Sequence, residues 1–287
     1  MSSLVTRTIA RLIDSTVSAL SREPFKSVIR QFGIAPYAGE VYDSVRYALA
    51  DERVSFEVDG HTATFHVPKK SEYSRLRSAK GERTVLTDLL SRLEPDDVFY
   101  DVGANIGLYS CFVTNVITDG RVVAFEPHPA NVARLKENLA LNAGNPLVHQ
   151  CALSNESGRG SLELHGTEAG AGQHALAMAD SDDSIDIELT TGDDVVSRDG
   201  VPAPNVIKID VEGAELDVLR GLRRTVASES CRFVYCEVHR ETIGRYGDDP
   251  HQVVEFFEQF DFDITRLHDR GTEFFVCAAK RSTAENE

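Results

Sequence analysis

The sequence lacks any run of 18 or more apolar residues, and it lacks a recognisable signal peptide. A membrane-spanning helix needs about 20 consecutive apolar residues, so we expect no spanning segment and a cytoplasmic location. Cysteine is also sparse, and the five cysteines form no Cys-x-x-Cys pair. This usage indicates reduced thiols in a protein core rather than a disulfide framework.

Lysine is scarce as well, since only seven of the 30 basic residues are lysine, against 46 acidic residues and a net charge of −16. Nucleic-acid binding requires a basic face for phosphate contacts, so we expect no nucleic-acid partner. A large excess of carboxylates is typical of proteins that stay soluble at high salt. The 287 residues are enough for one large α/β domain with an extension.

The most informative stretch is residues 97–107, Asp-Val-Phe-Tyr-Asp-Val-Gly-Ala-Asn-Ile-Gly. Its apolar run predicts a buried parallel strand, and the apolar spacing that follows predicts a helix. Between them, Gly103 and Gly107 predict a tight turn of the kind that forms a nucleotide pocket. The Gly-x-x-x-Gly spacing differs from the Gly-x-Gly-x-x-Gly of NAD sites.

Two carboxylates indicate which nucleotide would bind. Asp101 would repel a pyrophosphate at this turn but attract the sulfonium and ammonium of S-adenosylmethionine, unless it serves only as a helix cap. Glu126 follows a second predicted strand, 19 residues beyond Gly107. A nucleotide-binding fold places there the carboxylate that accepts the ribose hydroxyls. Together they predict an adenosyl site.

Residues 1–80 are predicted to form an accessory extension before the main domain, residues 81–287. An amphipathic helix over 4–20 and a β-hairpin over 54–67 are its elements. The helix would pack on the main domain or on another subunit, giving a homodimer. A peripheral contact with a membrane surface is the other interpretation.

In the main domain, strands alternate with helices, which predicts a mostly parallel sheet. Residues 147–153 are predicted to form its third strand, and two strands near 262–279 a closing antiparallel hairpin. The segment 158–184, rich in Gly, Ala, Ser and Asp, is predicted to form a short strand at 161–164 and then a mobile loop, a candidate lid. Polar residues stand at the carboxyl ends of the predicted strands, where ligands of such sheets bind: Asp101, Glu126, Asp210, Glu237 and His239.

Several of these segments resemble a known family. They are residues 101–107, 125–127, 152–154, 208–215 (Lys-Ile-Asp-Val-Glu-Gly-Ala-Glu) and 237–239. In order and spacing they are similar to the FkbM-type S-adenosylmethionine-dependent methyltransferases, over about residues 80–280. The resemblance implies an α/β, Rossmann-like seven-stranded sheet whose last pair is a hairpin. It also implies O-methylation of a hydroxyl, often on a sugar or a polyketide-like acceptor.

The resemblance further implies S-adenosylmethionine as cofactor and assigns its binding residues. The glycine turn would hold the methionine part, Glu126 the ribose, and Ala152 with Leu153 the adenine. Glu82 would reach the cofactor or would be a solvated carboxylate at a helix start. The full predicted cofactor set is Glu82, Asp101, Gly103, Ala104, Asn105, Gly107, Glu126, Pro127, Ala152 and Leu153.

Methyl transfer to a hydroxyl requires an aligned acceptor and benefits from a general base. Asp210 is the first candidate for this base and His239 the second, with Glu237 to orient the imidazole. No metal ligand is assigned. However, these three residues and Glu212 could bind a divalent cation, so a metal-assisted O-methyltransferase or a metal-binding module is an alternative.

Enzymes that methylate nucleic-acid or amino groups would carry Asn-Pro-Pro-Tyr, or a close variant, after the fourth strand. This chain has Asp-Val-Glu-Gly at residues 210–213 instead. The resemblance implies a hydroxyl of a glycan or small molecule as the acceptor, and RNA or protein is the alternative.

Overall fold

The computed structural model describes residues 47, 52–69, 72–73, 76, 82–144, 146–164, 175–176, 183–198 and 201–281. The predicted helix over 4–20 lies outside this part of the chain. The chain divides into two compact units, residues 1–54 with 66–78 and residues 55–65 with 79–287. Most of the predicted hairpin therefore belongs to the larger unit, and the domain boundary after residue 80 stays a prediction.

The hairpin consists of β1 (Arg53–Val58) and β2 (His61–His66), which form a two-stranded sheet. Asp59 and Gly60 turn the chain with positive φ angles of 49° and 81°, as a two-residue hairpin loop requires. Thr64 exchanges two hydrogen bonds of 2.9 Å with the side chain of Asn142. Within the larger unit, the hairpin is thus fixed to the segment that precedes the third strand of the main sheet.

Strands and helices alternate along most of the rest of the larger unit, as the sequence predicts, except for the consecutive strands over residues 147–190 and the closing pair over 262–280. In chain order they are α1 (Glu82–Arg92), β3 (Val98–Val102), α2 (Leu108–Val113), β4 (Arg121–Phe125), α3 (Pro129–Leu139), β5 (Leu147–His149), β6 (Ala152–Leu153), β7 (Gly158–Glu163), β8 (Ala175–Leu176), β9 (Ser184–Thr190), α4 (Gly192–Ser197), β10 (Val206–Ile209), α5 (Glu215–Gly221), α6 (Arg223–Ala227), β11 (Phe233–His239), a 3-10 turn (Ile243–Tyr246), α7 (Pro250–Glu258), β12 (Phe262–Asp269) and β13 (Glu273–Lys280).

Seven strands form the main sheet in the order β12-β13-β11-β10-β3-β4-β5. The five strands from β11 to β5 are parallel, and β13 runs antiparallel to both β11 and β12. The central strands β3, β4 and β10 are almost wholly buried, which explains their continuous apolar runs. The predicted Rossmann-like sheet with a closing hairpin is confirmed.

The predicted third strand over 147–153 is divided between two sheets. Its first part, β5, pairs with β4 as far as His149, the partner of the last residue of β4, Phe125. Because β4 ends there, the chain leaves the main sheet, and β6 pairs with β9 in a four-stranded sheet of order β6-β9-β7-β8. β7 overlaps the predicted strand at 161–164, β8 lies within the predicted lid loop, and β9 begins at the last residue of the segment. Residues 165–174 and 177–182 lie outside the described residues.

The five cysteines are buried and free, which confirms the prediction of reduced core thiols. In the described part of the chain, no helix has the length and apolar content needed to cross a bilayer.

Candidate active site

The glycine turn after β3 is fixed by backbone contacts. Gly103 has a φ of +73°, and a Cβ there would lie 1.8 Å from the carbonyl oxygen of Asp210. Gly107 has a φ of +90°, and its Cβ would meet Leu135 at 2.5 Å. The N–H groups of Gly103 and Ala104 both donate to the carbonyl of Phe125 at 3.0 Å. Both glycines are therefore required by conformation and by close approach.

Asp101 lies beneath this turn and is fully buried. Its Oδ2 accepts hydrogen bonds from the backbone N–H and hydroxyl of Ser110 at 3.0 and 2.6 Å. Its Oδ1 lies 3.4 Å from Nζ of Lys208. These bonds fit the alternative interpretation, a carboxylate that caps the following helix, so a direct contact between Asp101 and a ligand stays a prediction.

Above the turn lies a cavity that opens to solvent, with about 670 Å³ of empty space that includes part of the solvent at its mouth. It lies at the carboxyl ends of β3, β4 and β10. Its wall includes seven predicted site residues: Gly103, Asn105, Glu126, Pro127, Ala152, Leu153 and Asp210. The other six predicted residues, all of them described, do not line it: Glu82, Asp101, Ala104, Gly107, Glu237 and His239.

The side chain of Glu126, on this wall, is held by three hydrogen bonds. Its Oε2 accepts from the N–H of Asn105 at 2.8 Å, and its Oε1 from the N–H of His128 at 2.9 Å and from Asn131 Nδ2 at 3.2 Å. Burial raises the pKa of Glu126 above its ordinary value, while these three hydrogen bonds oppose that rise. Two carboxylate oxygens offer about four acceptor positions, so capacity remains for a ribose hydroxyl.

The residues present fit S-adenosylmethionine. The Oδ1 of Asn105 is buried and lacks a hydrogen-bond partner among the described residues, as expected of a group that binds a polar ligand. Cys151, Ala152 and Leu153 form an apolar strip on the wall, and Leu162 and Leu176 from the second sheet add to it. Leu162 and Leu176 were not identified from the sequence, because no motif marks a lone leucine as a ligand contact.

At the other end of the wall, Asp210 lies between two basic side chains. Its Oδ2 is 3.4 Å from Nζ of Lys208, and its Oδ1 is 3.9 Å from Nε2 of His239. The Asp210 side chain is 30% exposed, whereas that of Lys208 is only 3% exposed. Asp210 can therefore meet both a ligand in the cavity and the buried cation behind it.

His239 is held mainly by Glu215. Nδ1 of His239 lies 2.7 Å from Oε1 of Glu215, and Nε2 lies 3.4 Å from Glu212. Burial lowers the pKa of His239, but the surrounding carboxylates outweigh this and raise it to about 10. The partner that orients the imidazole is thus Glu215, not Glu237 as the sequence suggests, because the turn after β10 brings Glu215 beneath the ring.

Glu237 and Glu82 lie together on the far side of Asp210. Glu82 accepts hydrogen bonds from the hydroxyl of Tyr109 and, at 3.1 Å, from Arg270. Arg270 also lies 3.9 Å from Glu237. Burial raises the pKa of Glu237, and the charges of Asp210 and Glu82 raise it further. Glu82 is therefore mostly buried, with 14% of its side chain exposed, and is not on the cavity wall; a contact with the cofactor stays a prediction.

A metal was the alternative that the sequence left open. In the described ranges, Asp210, Glu212 and His239 each place one ligand atom within 4.8 Å of the other two. This spacing would admit a divalent cation. The same spacing is also explained by the ion pairs of His239, so it does not distinguish the two interpretations.

The glycine turn, Glu126 and the acidic strand ends all lie in the larger of the two units. Over residues 101–264, the chain matches the sequence family described as the methyltransferase FkbM domain. The chain belongs to this family. The membership confirms the predicted reaction, S-adenosylmethionine-dependent O-methyl transfer.

Three relatives show how widely the family's sequence is shared. Hexuronic acid methyltransferase AglP of Haloferax volcanii is 37% identical over 77% of this chain and 86% of its own length. The 31-O-demethyl-FK506 methyltransferase FkbM of Streptomyces tacrolimicus is 29% identical over 66% of this chain and 83% of its own length. The 2-O-methyltransferase NoeI of Sinorhizobium fredii is 27% identical over 56% and 72%, respectively.

Proposed function

We propose that this methyltransferase acts on a sugar hydroxyl, in a glycan that contains a hexuronic acid, and that Asp210 is its general base. The observation that carries the proposal is the position of Asp210, which lines the cavity and whose backbone packs directly on Gly103. The acceptor class is supported by the name of the relative that is 37% identical.

The cofactor supplies an activated methyl group on a sulfonium. In this proposal, Glu126 accepts the ribose hydroxyls, and Leu153 with Leu162 and Leu176 encloses the adenine between the two sheets. Asn105 offers its unpaired Oδ1 to a polar group of the same ligand. The wall thereby excludes water from one side of the reaction and fixes the donor.

Asp210 is favoured over His239 as the base for a chemical reason. With a pKa of about 10, His239 is protonated at neutral pH and has no lone pair to accept a proton. Asp210 is the more exposed of the two, with 30% of its side chain accessible against 12% for His239. His239 and Glu237 then position and balance charge around Asp210 instead of taking the proton.

Asp210→Asn tests the base. General bases contribute about 10²- to 10⁴-fold to rate, so we expect kcat to fall by that factor while the affinity for S-adenosylhomocysteine is kept. Asp217→Asn, which removes a carboxylate from the surface of α5, is the matched control. If Asp210→Asn retained full kcat, the base would have to be another residue.

Radiolabelled S-adenosylmethionine tests the acceptor. We expect label in hexuronate-containing oligosaccharides, in a methyl ether that resists both acid and alkaline hydrolysis. Alkali-labile label would indicate esterification of the hexuronate carboxyl group. Label found only in RNA or protein would contradict the sugar assignment.

Exhaustive chelation tests the metal-assisted alternative. If the chain's own residues suffice, activity persists after EDTA treatment and gel filtration. Loss of activity that magnesium or manganese restores would instead favour the metal-assisted enzyme.

The surroundings of the enzyme are proposed mainly from the sequence. A homodimer through residues 1–80 and a peripheral membrane contact are supported by the amphipathic pattern over 4–20, and a cytoplasmic location by the free cysteines. Light scattering on the full chain tests the dimer, and flotation with liposomes tests the membrane contact.

A further inference from the structure

Lys208 is a buried cation inside an apolar strand. It stands in β10 among valine and isoleucine residues and is 2% exposed. In the parallel register of β10 and β3, Lys208 is the direct partner of Asp101. A buried ammonium is costly unless it is paired and hydrogen-bonded, so its contacts should explain why it is there.

Those contacts connect the two halves of the site. Nζ of Lys208 donates to the carbonyl of Gly103 at 2.9 Å, in the turn of the cofactor side. It also lies 3.4 Å from Asp101 Oδ1 and 3.4 Å from Asp210 Oδ2. The ring of Tyr109 covers it at 5.2 Å. One ammonium group therefore contacts the donor turn, the carboxylate beneath it and the proposed base.

Lys208 keeps its positive charge in this environment. Burial lowers the pKa of Lys208, but Asp210 and Asp101 outweigh that effect, so its pKa lies above the ordinary value. Lys208 therefore cannot serve as a base at neutral pH. Its fixed charge can only orient and balance its neighbours.

We propose that Lys208 is a positioning residue for methyl transfer. Its ammonium group contacts both the Asp210 carboxylate and the carbonyl of Gly103, and so holds Asp210 in a fixed position relative to the cofactor turn. The proposal rests on the proposed function, in which Asp210 accepts the acceptor's proton. It adds a role to a residue that neither touches the cavity nor takes part in proton transfer.

The charges of the step explain why one cation between two carboxylates suits this reaction. Before transfer, the positive charges of Lys208 and the sulfonium match the negative charges of Asp101 and Asp210. The methyl–sulfur bond breaks with its electron pair left on sulfur, the methyl–oxygen bond forms, and the hydroxyl proton passes to Asp210. Afterwards the thioether and the protonated Asp210 are neutral, and Lys208 is matched by Asp101. These four groups sum to zero charge at both stages, and His239 is matched separately by Glu215 at 2.7 Å.

The test removes the cation without leaving a buried carboxylate unmatched. Lys208→Met alone would leave the buried carboxylate of Asp101 without a matching cation. The informative variant is therefore the double variant Asp101→Asn with Lys208→Met, in which the net charge around Asp210 is unchanged. Lys280→Met is the control, because Lys280 also lies in a sheet strand and donates to two backbone carbonyls, at 2.9 and 3.1 Å.

Because Asp101 is itself a predicted cofactor residue, the reference is the single variant Asp101→Asn. We expect the double variant to bind S-adenosylhomocysteine within about threefold of that single variant by calorimetry. Its kcat should fall by about 10- to 100-fold at little changed acceptor KM, since small displacements of a reacting group have effects of this size. Lys280→Met should keep the parental kcat. A double variant with the kcat of Asp101→Asn, or one whose loss is matched by lost cofactor affinity, would overturn the proposal.

Adding Asp210→Asn separates this inference from the proposed base. If Lys208 acts through Asp210, the losses of the double variant and of Asp210→Asn do not add when combined. Fully additive losses would overturn the positioning role even if Asp210 is the base. Should Asp210→Asn alone be silent, the proposed function fails, whatever the double variant shows.

Discussion

The two halves of this site are built from different materials. The proposed cofactor half consists largely of backbone turns and hydrogen bonds, as in the contacts of Gly103 with Phe125 and of Glu126 with Asn105. The acceptor half consists of charged side chains that perturb one another, as the raised pKa values of His239 and Glu237 show. A pocket made by backbone geometry has little conformational freedom. In a cluster of charged side chains, by contrast, the pKa of each group depends on the charges of all the others.

Gly103→Ala should have the largest effect, because it adds a side-chain atom at a point of the cofactor half where two backbone segments are in direct contact. Its Cβ would lie 1.8 Å from the Asp210 carbonyl, in a left-handed conformation. We expect a loss of about 2–4 kcal/mol in unfolding free energy and no measurable cofactor binding, by denaturant titration and calorimetry.

The control for Gly103 is Gly247→Ala. Gly247 shares the left-handed conformation, with a φ of +81°, but a Cβ there would meet nothing within 4 Å. It should lose only about 1–2 kcal/mol for the conformation and keep its affinity. Equal losses in the two variants would show that the contact with Asp210 is unimportant.

Glu126→Gln should come second. The amide keeps the shape but removes the charge and turns one acceptor oxygen into a donor that faces Asn105 or His128. Hydrogen bonds to charged groups contribute about 1.5–3 kcal/mol, so we expect the Kd for S-adenosylhomocysteine to rise about 10- to 100-fold. Glu229→Gln, at an exposed position, is the control. If Glu126→Gln had the same Kd as the parent, Glu126 would not bind the ribose.

The same contrast explains what the sequence could predict. Asp101, Gly103 and Glu126 lie within one strand–turn–helix and the strand after it, so local spacing was enough to predict them as site residues. The partners of Lys208 and His239 could not be identified this way, since Lys208 meets Asp101 through the register of strands 107 positions apart in the chain. Local patterns do not encode that register.

Strand partners were the other point that local patterns missed. The apolar run over 147–153 does predict extended chain, but not that β6 leaves the main sheet for β9. The length of β4 determines that departure, and it lies more than 20 residues earlier in the chain. Hence Leu162 and Leu176 reached the cavity wall without any signal in their own surroundings.

His239→Gln should have the third largest effect, on the pH dependence of stability. Because the pKa of His239 rises from 6.5 to about 10 on folding, its contribution is full below pH 6.5 and is lost as the pH rises through 10. We expect the Tm of the parent to fall between pH 7 and 10, and the variant to fall less. His251→Gln, on the exposed start of α7, should follow the parent; a variant curve parallel to the parent's would contradict the coupling.

Tyr246→Phe should have the smallest effect, because it tests how firmly the second sheet closes the cofactor half. The hydroxyl of Tyr246 donates to the carbonyl of Leu176 at 2.8 Å, and Leu176 lines the cavity. Losing one such hydrogen bond costs about 1 kcal/mol, so the Kd for S-adenosylhomocysteine should rise about fivefold. Tyr100→Phe is the matched control, since its hydroxyl also donates to a backbone carbonyl at 2.8 Å, that of Pro202, which is not on the cavity wall. Both variants should lose some stability, but only Tyr246→Phe should weaken binding of S-adenosylhomocysteine. If neither variant weakened binding, the hydrogen bond of Tyr246 would stabilise only the fold, and closure of the cavity would depend on the apolar contacts of Leu162 and Leu176.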